Sequence, residues 1–456
     1  MSYKTTDDGL KRVIGVPALA AAVVNLSIGS GIYVLPAVIC IQLGSAAIIG
    51  YILTALMFAA IILCYVEIGS KIKTTGGSYA YVEAAFGPFA GFIINWLFFF
   101  GWGILSDAAV MNLVADSLSV IFPVLLQSVI RGLLFFLLLG LMVFVNIRSA
   151  EKSVRFVTMF TVVKLVPLVA IILVGFTHIQ ITNLKIQHLP SLKSFGDTAL
   201  ILFFVFAGFE SSLTVSGEIK NPRRTVPLGV LWGGIIVLLI YLLIQTLVQG
   251  VLGAQINEFK DAPLAAIAKK VAGSSGIIIL LFAAALSGLV ALNGDILASP
   301  RLLFAGAKDG LFPKFLGKVH PKFGTPYWAV IIYALLIFIF SISGGFKQLA
   351  VLASGALLII YLGVILAMIK FRFKKDYDNE ESFKVGGGLI IPCVAIIAIV
   401  YVLSNLSKQE ILSLCIFIGV LSIIFLIMKK LKNISLKKVI QLEHQKKFGI
   451  IKPNKF

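Results

Sequence analysis

Apolar runs of roughly 20 residues recur along this chain from one end to the other. A helix of about 20 apolar residues is long enough to cross the roughly 30 Å hydrocarbon core of a bilayer. Hydrophobic residues make up 59% of the 456 residues and charged residues only 13%, too little charge to cover the surface of a soluble protein. The sequence therefore predicts an all-α integral membrane protein.

Twelve transmembrane segments can be delimited in this way, and the loops between them are mostly short. We therefore expect a single membrane domain over residues 1–456, without a linker. No cleavable signal peptide is evident, because the first apolar stretch continues into the second. The predicted spans are 14–43, 44–68, 86–115, 121–146, 156–176, 197–217, 227–252, 276–305, 327–343, 347–369, 388–405 and 411–430.

The distribution of basic residues predicts how the chain is oriented. In a soluble protein a net charge of +19 would suggest a nucleic acid partner, but here the Lys and Arg residues are concentrated in alternate loops. About 30 of the 39 lie in segments on the side of the N-terminus, and about 8 lie in the opposite loops. The positive-inside rule then puts the N-terminus (1–13) and the basic tail (431–456) in the cytoplasm, for a multi-pass protein of the plasma or inner membrane. The expected large-scale partner is the lipid bilayer, not nucleic acid.

Two of the predicted spans contain a sequence that weakens a helix near the middle of the membrane. Span 1 contains NLSIGSGI at residues 25–32, and span 6 contains FVFAGFE at residues 204–210. Glycine disfavours helix, and irregular backbone at membrane depth is tolerated only where it faces protein or a water-filled cavity. Close helix packing at the glycines is the alternative. Breaks in both spans, one of them followed by Glu210, favour a binding site.

The two breaks occupy matching places in two halves of the chain. Spans 1–5 (14–176) and spans 6–10 (197–369) could be two repeats, and an odd number of spans per repeat inserts the copies in opposite orientations. Secondary transporters often have inverted repeats, with paired discontinuous helices around a site near the midplane. Two further helices, within 388–430, would follow the second repeat.

Such a pair of breaks suits a zwitterionic ligand. The backbone N–H groups of Gly29, Ser30 and Gly31 would lie at the positive end of a half-helix and bind a carboxylate. Carbonyl oxygens freed near Ser27 and in segment 204–207 would accept hydrogen bonds from an ammonium. The predicted substrate-binding residues are Ser27, Ile28, Gly29, Ser30, Gly31, Phe204, Ala207, Gly208, Asn293 and Asp295.

At these residues the chain resembles the amino acid–polyamine–organocation (APC) superfamily of permeases, whose members share the LeuT-type fold. Two inner loops add to the resemblance. The first reads EIKNPRRTVP at residues 218–227, and the second runs from Pro300 through AKDGLFP at 307–313 to Pro326.

The resemblance implies twelve helices as a LeuT-type 5+5 inverted repeat plus two C-terminal helices. It also implies transport of amino acids by alternating access, as a symporter or an exchanger. Ser30 and Gly31 would bind the substrate carboxylate, Phe204 would be an aromatic gate, and Glu210 would be a gating glutamate. Where an arginine exchanger of the superfamily has a tryptophan, this chain has Asp295, which counts against arginine exchange.

Ionisable residues inside the predicted spans suggest how transport is driven. Lys164 lies about eight residues, or roughly 12 Å, from the predicted inner end of span 5. A buried ammonium readily exchanges its proton, and the resemblance implies that lysine here replaces the sodium ion of sodium-coupled relatives. Lys164 and Glu210 are therefore the predicted proton-coupling residues, with protons favoured over sodium. Snorkelling of Lys164 to the inner interface is the alternative.

Spans 3 and 8 contain three further polar residues. Asp295 and Asn293 lie two positions apart in span 8 and point to different helix faces, so that one could face substrate while the other bonds a neighbouring helix. Asp107 in span 3 is expected to form a structural hydrogen bond.

Other classes of protein lack the residues they need. An intramembrane enzyme would require a nucleophile–base pair or metal ligands at membrane depth, and no His falls within a predicted span. No metal and no cofactor is predicted. A channel would need a continuous polar pore, and a receptor would usually carry an added soluble domain. Transport of a polyamine or another organic cation is the alternative that Asp295 and Glu210 leave open, and the oligomeric state is left undetermined.

Overall fold

The computed structural model describes residues 14–72, 77–148, 150–213, 219–308, 313–373 and 383–447. The predicted cytoplasmic N-terminus (1–13) and the end of the basic tail (448–456) lie outside the described residues. Within the described parts the chain is helical, and its one β-bridge joins Ile14 to Ile219. The α-helices are α1 Val16–Ser27, α2 Gly31–Leu43, α3 Ala47–Lys71, α4 Ser78–Phe86, α5 Pro88–Trp96, α6 Leu105–Ser119, α7 Ser128–Arg148, α8 Ala150–Gly175, α9 Leu192–Phe206, α10 Phe209–Ser212, α11 Pro222–Leu252, α12 Pro263–Ala298, α13 Pro300–Lys308, α14 Tyr327–Ser343, α15 Phe346–Arg372, α16 Ile390–Leu403 and α17 Lys408–Lys447.

Helices long and apolar enough to cross a bilayer occur throughout the described residues, which confirms a multi-pass membrane protein. Eight helical stretches satisfy this criterion by length and composition, and four further apolar helices are shorter. Two of the shorter ones, α1 and α14, fall on predicted spans 1 and 9. The number of crossings, twelve, stays a prediction.

The first predicted span consists of two helices in the structure. α1 ends at Ser27, and α2 begins at Gly31. Ile28, with φ −90° and ψ 88°, leaves the helical conformation. Because α2 starts afresh at Gly31, its first N–H groups have no acceptor one turn earlier in the same helix.

The sixth predicted span is also divided. α9 ends at Phe206, the single turn α10 begins at Phe209, and Gly208 between them has φ 116°. A Cβ atom at Gly208 would lie 2.7 Å from the carbonyl oxygen of Leu26 in α1. Two constraints therefore favour glycine here: the backbone conformation with positive φ, and the close contact between the two interrupted segments.

Proline and glycine set the ends of two other predicted spans. The sequence predicts span 8 over 276–305, but α12 ends at Ala298, before Pro300 starts α13. Gly273, with φ 66°, kinks the same helix near its start. In span 3, Gly87 with φ 89° separates α4 from α5, and a π-helix over Leu97–Ile104 joins α5 to α6.

Aromatic side chains pack the second interruption into the core. The Phe58 ring of α3 lies 5.5 Å from the rings of both Phe203 and Phe209 and 6.0 Å from that of Tyr361. Such edge-to-face contacts stabilise ring pairs beyond the area they bury. The short α10 is thereby held between α3 and α15.

A buried ion pair connects α3 to the end of α15. Glu67 is fully buried, and its carboxylate accepts hydrogen bonds from Arg372, from Lys71 at 3.4 Å and from the backbone N–H of Val385 at 2.9 Å. Glu67 is thus paired with both Arg372 and Lys71. Three donors compensate the cost of burying this carboxylate.

Candidate functional site

A cavity of about 90 Å³ lies where the two helix interruptions meet. Its volume corresponds to a few water molecules or a small solute. Eight of the ten predicted substrate-binding residues line it: Ser27, Gly29, Ser30, Gly31, Phe204, Ala207, Gly208 and Asp295. The two that do not line it are Ile28 and Asn293.

The α1–α2 interruption gives the cavity a set of hydrogen-bond donors. Ser30 is only 1% exposed, and its hydroxyl has no hydrogen-bond partner among the described residues. It precedes Gly31, the first residue of α2, so it stands at the positive end of that helix. A buried hydroxyl without a partner is costly, and a bound acceptor would satisfy it.

The α9–α10 interruption supplies acceptors by diverting backbone donors. In a continuous helix the N–H of Gly208 would bond to the carbonyl of Phe204, four residues earlier. Instead it donates to both carboxylate oxygens of Glu210, at 3.0 Å each. Likewise the N–H of Ser211 donates to the carbonyl of Gly208 rather than to that of Ala207. The carbonyls of Phe204 and Ala207 thus lose their helical donors at the wall of the cavity.

Glu210 lies behind the cavity wall rather than in it. Its carboxylate accepts the two bonds from Gly208 and a third, of 3.0 Å, from the hydroxyl of Tyr361 on α15. The side chain is 1% exposed. Glu210 thus holds the interruption of α9 and α10 open and connects it to α15.

Lys164 hydrogen-bonds the backbone of the first interruption, as Glu210 does that of the second. Its ammonium donates to the carbonyls of Asn25 and Ile28, at 2.9 Å each. The residue is 1% exposed, so its side chain does not reach a membrane interface. The Ile28 carbonyl is thus occupied by Lys164, and Ile28 does not line the cavity.

Aromatic rings from three segments meet at Phe204. Its ring lies 5.7 Å from that of Trp102 in the π-helix and 5.7 Å from that of Phe346 at the start of α15. π-Helical turns in otherwise regular helices are frequent at functional sites. Trp102 and Phe204 both line the cavity. The aromatic cluster therefore closes one side of it.

Tyr241 of α11 is a cavity residue that sequence reasoning missed. Its hydroxyl donates to the carbonyl of Ser27, at 3.1 Å, and its ring is stacked on that of Tyr51 at 6.1 Å. A tyrosine on an apolar helix carries no sequence signal that separates it from a packing residue. Tyr241 fixes the last carbonyl of α1 at the edge of the cavity.

Asp107 also lines the cavity, beyond the role expected of it. The predicted hydrogen bond to another helix is present, because the hydroxyl of Tyr333 donates to Asp107 Oδ2 at 2.8 Å. Asp295 of α12 lines the same cavity. Asn293 faces another way and accepts a 2.9 Å bond from Asn146 on α7. Of the two polar residues in span 8, Asp295 is the one at the cavity.

Metal ligands do not cluster anywhere in the part of the chain that the structure describes. No group of three or more His, Cys, Asp or Glu side chains in those residues has a geometry that could hold a metal ion. The chemistry of the cavity is that of hydrogen bonds, two carboxyl groups and aromatic rings.

Comparison with known proteins places the chain among transporters. Residues 14–428 match the model of the amino acid permease family. The chain is 27% identical to the branched-chain amino acid permease BcaP of Lactococcus lactis, over 89% of this chain and 92% of that permease. It is 27% identical to the serine/threonine exchanger SteT of Bacillus subtilis, over 94% and 99% of the two chains. The methylthioribose transporter of Bacillus subtilis is 25% identical, over 93% and 95%. These relatives are transporters, not enzymes, and their substrates differ.

Proposed function

The chain belongs to the amino acid permease family, and we propose that it is a secondary active transporter that carries amino acids by alternating access. One observation carries this proposal: a single cavity is lined by both helix interruptions and contains the buried, unpartnered hydroxyl of Ser30. A transporter needs a site near the middle of the membrane that can be closed from either side. Relatives named for branched-chain amino acids and for serine and threonine support the substrate class.

In this proposal the two interruptions bind opposite ends of the zwitterion. The substrate carboxylate accepts hydrogen bonds from Ser30 and from the first N–H groups of α2 at Gly31. The ammonium donates to the carbonyls of Phe204 and Ala207, which lost their helical donors. Hydrogen bonds with charged groups are stronger than those between neutral ones. Phe204 then acts as the gate, because its ring lines the cavity and packs against Trp102 and Phe346.

The architecture we propose has twelve transmembrane helices in a LeuT-type arrangement. Residues 14–176 and 197–369 form the inverted repeats, 388–430 supply two further helices, and both termini are cytoplasmic at the plasma or inner membrane. The corresponding interruptions in α1–α2 and α9–α10, in contact through Gly208 and Leu26, support the repeat. The asymmetry of basic residues supports the orientation.

We further propose that protons, not sodium ions, drive transport through Lys164 and Glu210. The Lys164 ammonium binds two carbonyls of the first interruption, which is the kind of ligand a sodium ion would otherwise use. Glu210 binds the second interruption. A change of charge on either group would therefore alter the half-helices that contact the substrate.

A second candidate is transport of a polyamine or another organic cation. It is favoured by the aspartates Asp107 and Asp295 at the cavity, whose described lining residues include no Lys or Arg. A diamine lacks the carboxylate that Ser30 and Gly31 would bind. Competition between neutral amino acids and putrescine for uptake separates the two candidates.

The test is transport by the purified full-length protein in liposomes, with a panel of radiolabelled amino acids and with and without a proton gradient. We expect a subset of the panel to be taken up, and accumulation to require the gradient. Ser30→Ala should weaken binding by about 1–2 kcal/mol, or roughly tenfold.

The matched control is Ser354→Ala. Ser354 is also fully buried with an unpartnered hydroxyl among the described residues, but it does not line the cavity. Failure of every amino acid to be transported, with putrescine taken up instead, would refute the proposal in favour of the second candidate. Uptake that ignores the gradient and needs internal substrate would leave an exchanger and refute proton coupling.

A further inference from the structure

The two interruptions supply only part of the cavity lining. With the zwitterion held by them as proposed above, the side chain of the substrate meets the remaining lining, much of which comes from α6 and α12. These helices contribute Asp107 and Asp295, together with the small side chains of Ser106 and Ala291. The residues of α6 and α12 therefore decide which side chains the cavity accepts.

Carboxyl groups make this part of the lining a hydrogen-bond acceptor. Asp295 is partly exposed, whereas Asp107 is only 3% exposed and accepts a 2.8 Å bond from Tyr333, which does not line the cavity. The lining residues that the structure describes include no Lys or Arg. A carboxyl oxygen accepts hydrogen bonds whether or not the group is ionised. An apolar side chain that displaced water from Asp295 would leave acceptor positions unfilled, which disfavours its binding.

The course of α12 limits how long that side chain can be. A Cβ atom at Gly288 would lie 3.3 Å from the Cβ atom of Ser30, so α12 passes Ser30 at this residue. Asp295 comes seven residues later, on the same helix face and about 10 Å further along the axis. Its side chain leans back toward Gly288, because Cα–Cβ bonds tilt toward the start of a helix. Two hydrogen bonds of about 3 Å, one to Ser30 and one to Asp295, take up more than half of this length, so only a short ligand fits between them.

The volume of the cavity sets the same limit. About 90 Å³ corresponds to roughly three water molecules at about 30 Å³ each. The rings of Trp102 and Phe204, with centroids 5.7 Å apart, close one side. A long aliphatic, aromatic or guanidinium side chain exceeds this space. The Ser30 hydroxyl, 1% exposed and without a hydrogen-bond partner among the described residues, independently marks the cavity as a ligand site.

We propose that the substrate is an amino acid whose short side chain ends in a hydrogen-bond donor, and that Asp295 is the residue that selects it. This inference rests on the function proposed above and names the substrate class of the same site. The donor is a hydroxyl, as in serine and threonine, or an ammonium on a short chain, as in diaminobutyrate. Either group places a hydrogen on the carboxyl oxygen, which a methyl group of the same size does not.

Two pairs of amino acids with matched shapes test the proposal. Valine has a methyl group where threonine has its hydroxyl, and norvaline has one where diaminobutyrate has its ammonium. Initial rates of uptake are measured for all four radiolabelled compounds, with the full-length protein in liposomes. In at least one pair, the donor-bearing member should be taken up at least about tenfold faster than its apolar partner, because a site built to hydrogen-bond a substrate rejects the analogue without the donor. The pair that shows the difference identifies the donor.

Substitution of Asp295 tests which residue makes the distinction. Asp295→Ala removes the acceptor, so the ratio of rates within that pair should fall to about one. Loss of a merely structural residue would slow both members equally and leave the ratio unchanged. Asp295→Asn serves if the alanine variant does not fold. It keeps the shape and a weaker, uncharged acceptor, so it should give an intermediate ratio.

Asp116→Asn is the matched control for Asp295→Asn. It makes the same chemical change at a carboxylate of α6 that bonds Arg131 and does not line the cavity. Its ratio of rates should equal that of the wild type.

The outcomes separate this inference from the function on which it rests. If the wild type takes up both apolar members as fast as their donor-bearing partners, or if Asp295→Ala keeps the wild-type ratio, the proposed selection is wrong and the transport proposal stands. The same holds if other amino acids are taken up but none of these four. If the wild type takes up no amino acid, both are wrong.

Discussion

Replacement of Gly208 by alanine is the most informative single perturbation of the paired interruptions. Gly208 has φ 116° and ψ −25°, a conformation that L-residues with a Cβ rarely adopt. Its added Cβ would lie 2.7 Å from the carbonyl oxygen of Leu26 and 3.1 Å from the amide nitrogen of Ser27. Both contacts are with backbone atoms, which cannot rotate away as a side chain would.

Two terms set the size of the effect. A non-glycine residue in a sparsely populated backbone region costs about 1–3 kcal/mol. Forcing an extra methyl into a packed contact costs about 1–3 kcal/mol more. Gly208→Ala should therefore destabilise the arrangement in which α1 and α10 touch by roughly 2–6 kcal/mol. Since about 1.4 kcal/mol is a factor of ten, amino acid affinity should fall at least roughly 30-fold.

Calorimetric binding and thermal unfolding of the purified protein measure both consequences. Gly140→Ala is the matched control, because Gly140 lies inside α7 and an added methyl there would have no described atom within 4 Å beyond its own helix backbone. It should bind substrate normally and gain stability from the higher helix propensity of alanine. If Gly208→Ala unfolds at the wild-type temperature and binds with wild-type affinity, the close contact between the two interruptions does not exist.

Three further predictions concern other groups around the site. Lys164→Ala leaves two buried carbonyls without a donor, and each unsatisfied carbonyl costs about 1–3 kcal/mol. Uptake should therefore fall and its pH profile should flatten. Unchanged uptake and an unchanged pH profile would rule out a coupling role. Tyr241→Phe removes the hydrogen bond to Ser27 and should weaken amino acid binding by about 1 kcal/mol, or roughly fivefold, as measured by calorimetry; wild-type affinity would contradict this. Glu67→Gln should lower the unfolding temperature markedly, because it leaves Arg372 without its partner. Removing one partner of a buried ion pair costs about 3–5 kcal/mol. An unchanged melting curve would show that the pair adds no stability.

Much of the cavity is predictable from the sequence because it uses residue types that are unfavourable inside a membrane helix. Glycines at positions 29, 31 and 208 and an aspartate at position 295 weaken or destabilise an apolar helix at mid-membrane unless they serve a site. The two breaks lie at matching places in the two halves of the chain, which adds the expectation that they meet. The cavity lining contains all four residues.

Other parts of the site depend on pairings that the sequence does not display. Tyr241 bonds Ser27 from 214 residues away, and Tyr333 bonds Asp107 from 226 residues away. A tyrosine in an apolar helix has the same pattern whether its hydroxyl bonds a functional group or a structural one. The position of Ile28 in the first break predicts that it contacts substrate. Its carbonyl instead accepts a hydrogen bond from Lys164, which lies 136 residues away on α8.

The most direct test of the central claim, that the paired interruptions bind the two ends of a zwitterion, is a competition measurement with altered substrates. Counterflow uptake of a transported amino acid would be measured against the same amino acid, its methyl ester, its N-acetyl derivative and its decarboxylated amine. The account predicts that only the free zwitterion competes, since the ester and the amine lack the carboxylate for α2 and the N-acetyl derivative lacks the ammonium for the carbonyls of Phe204 and Ala207. Competition by the amine as strong as that by the amino acid would contradict it.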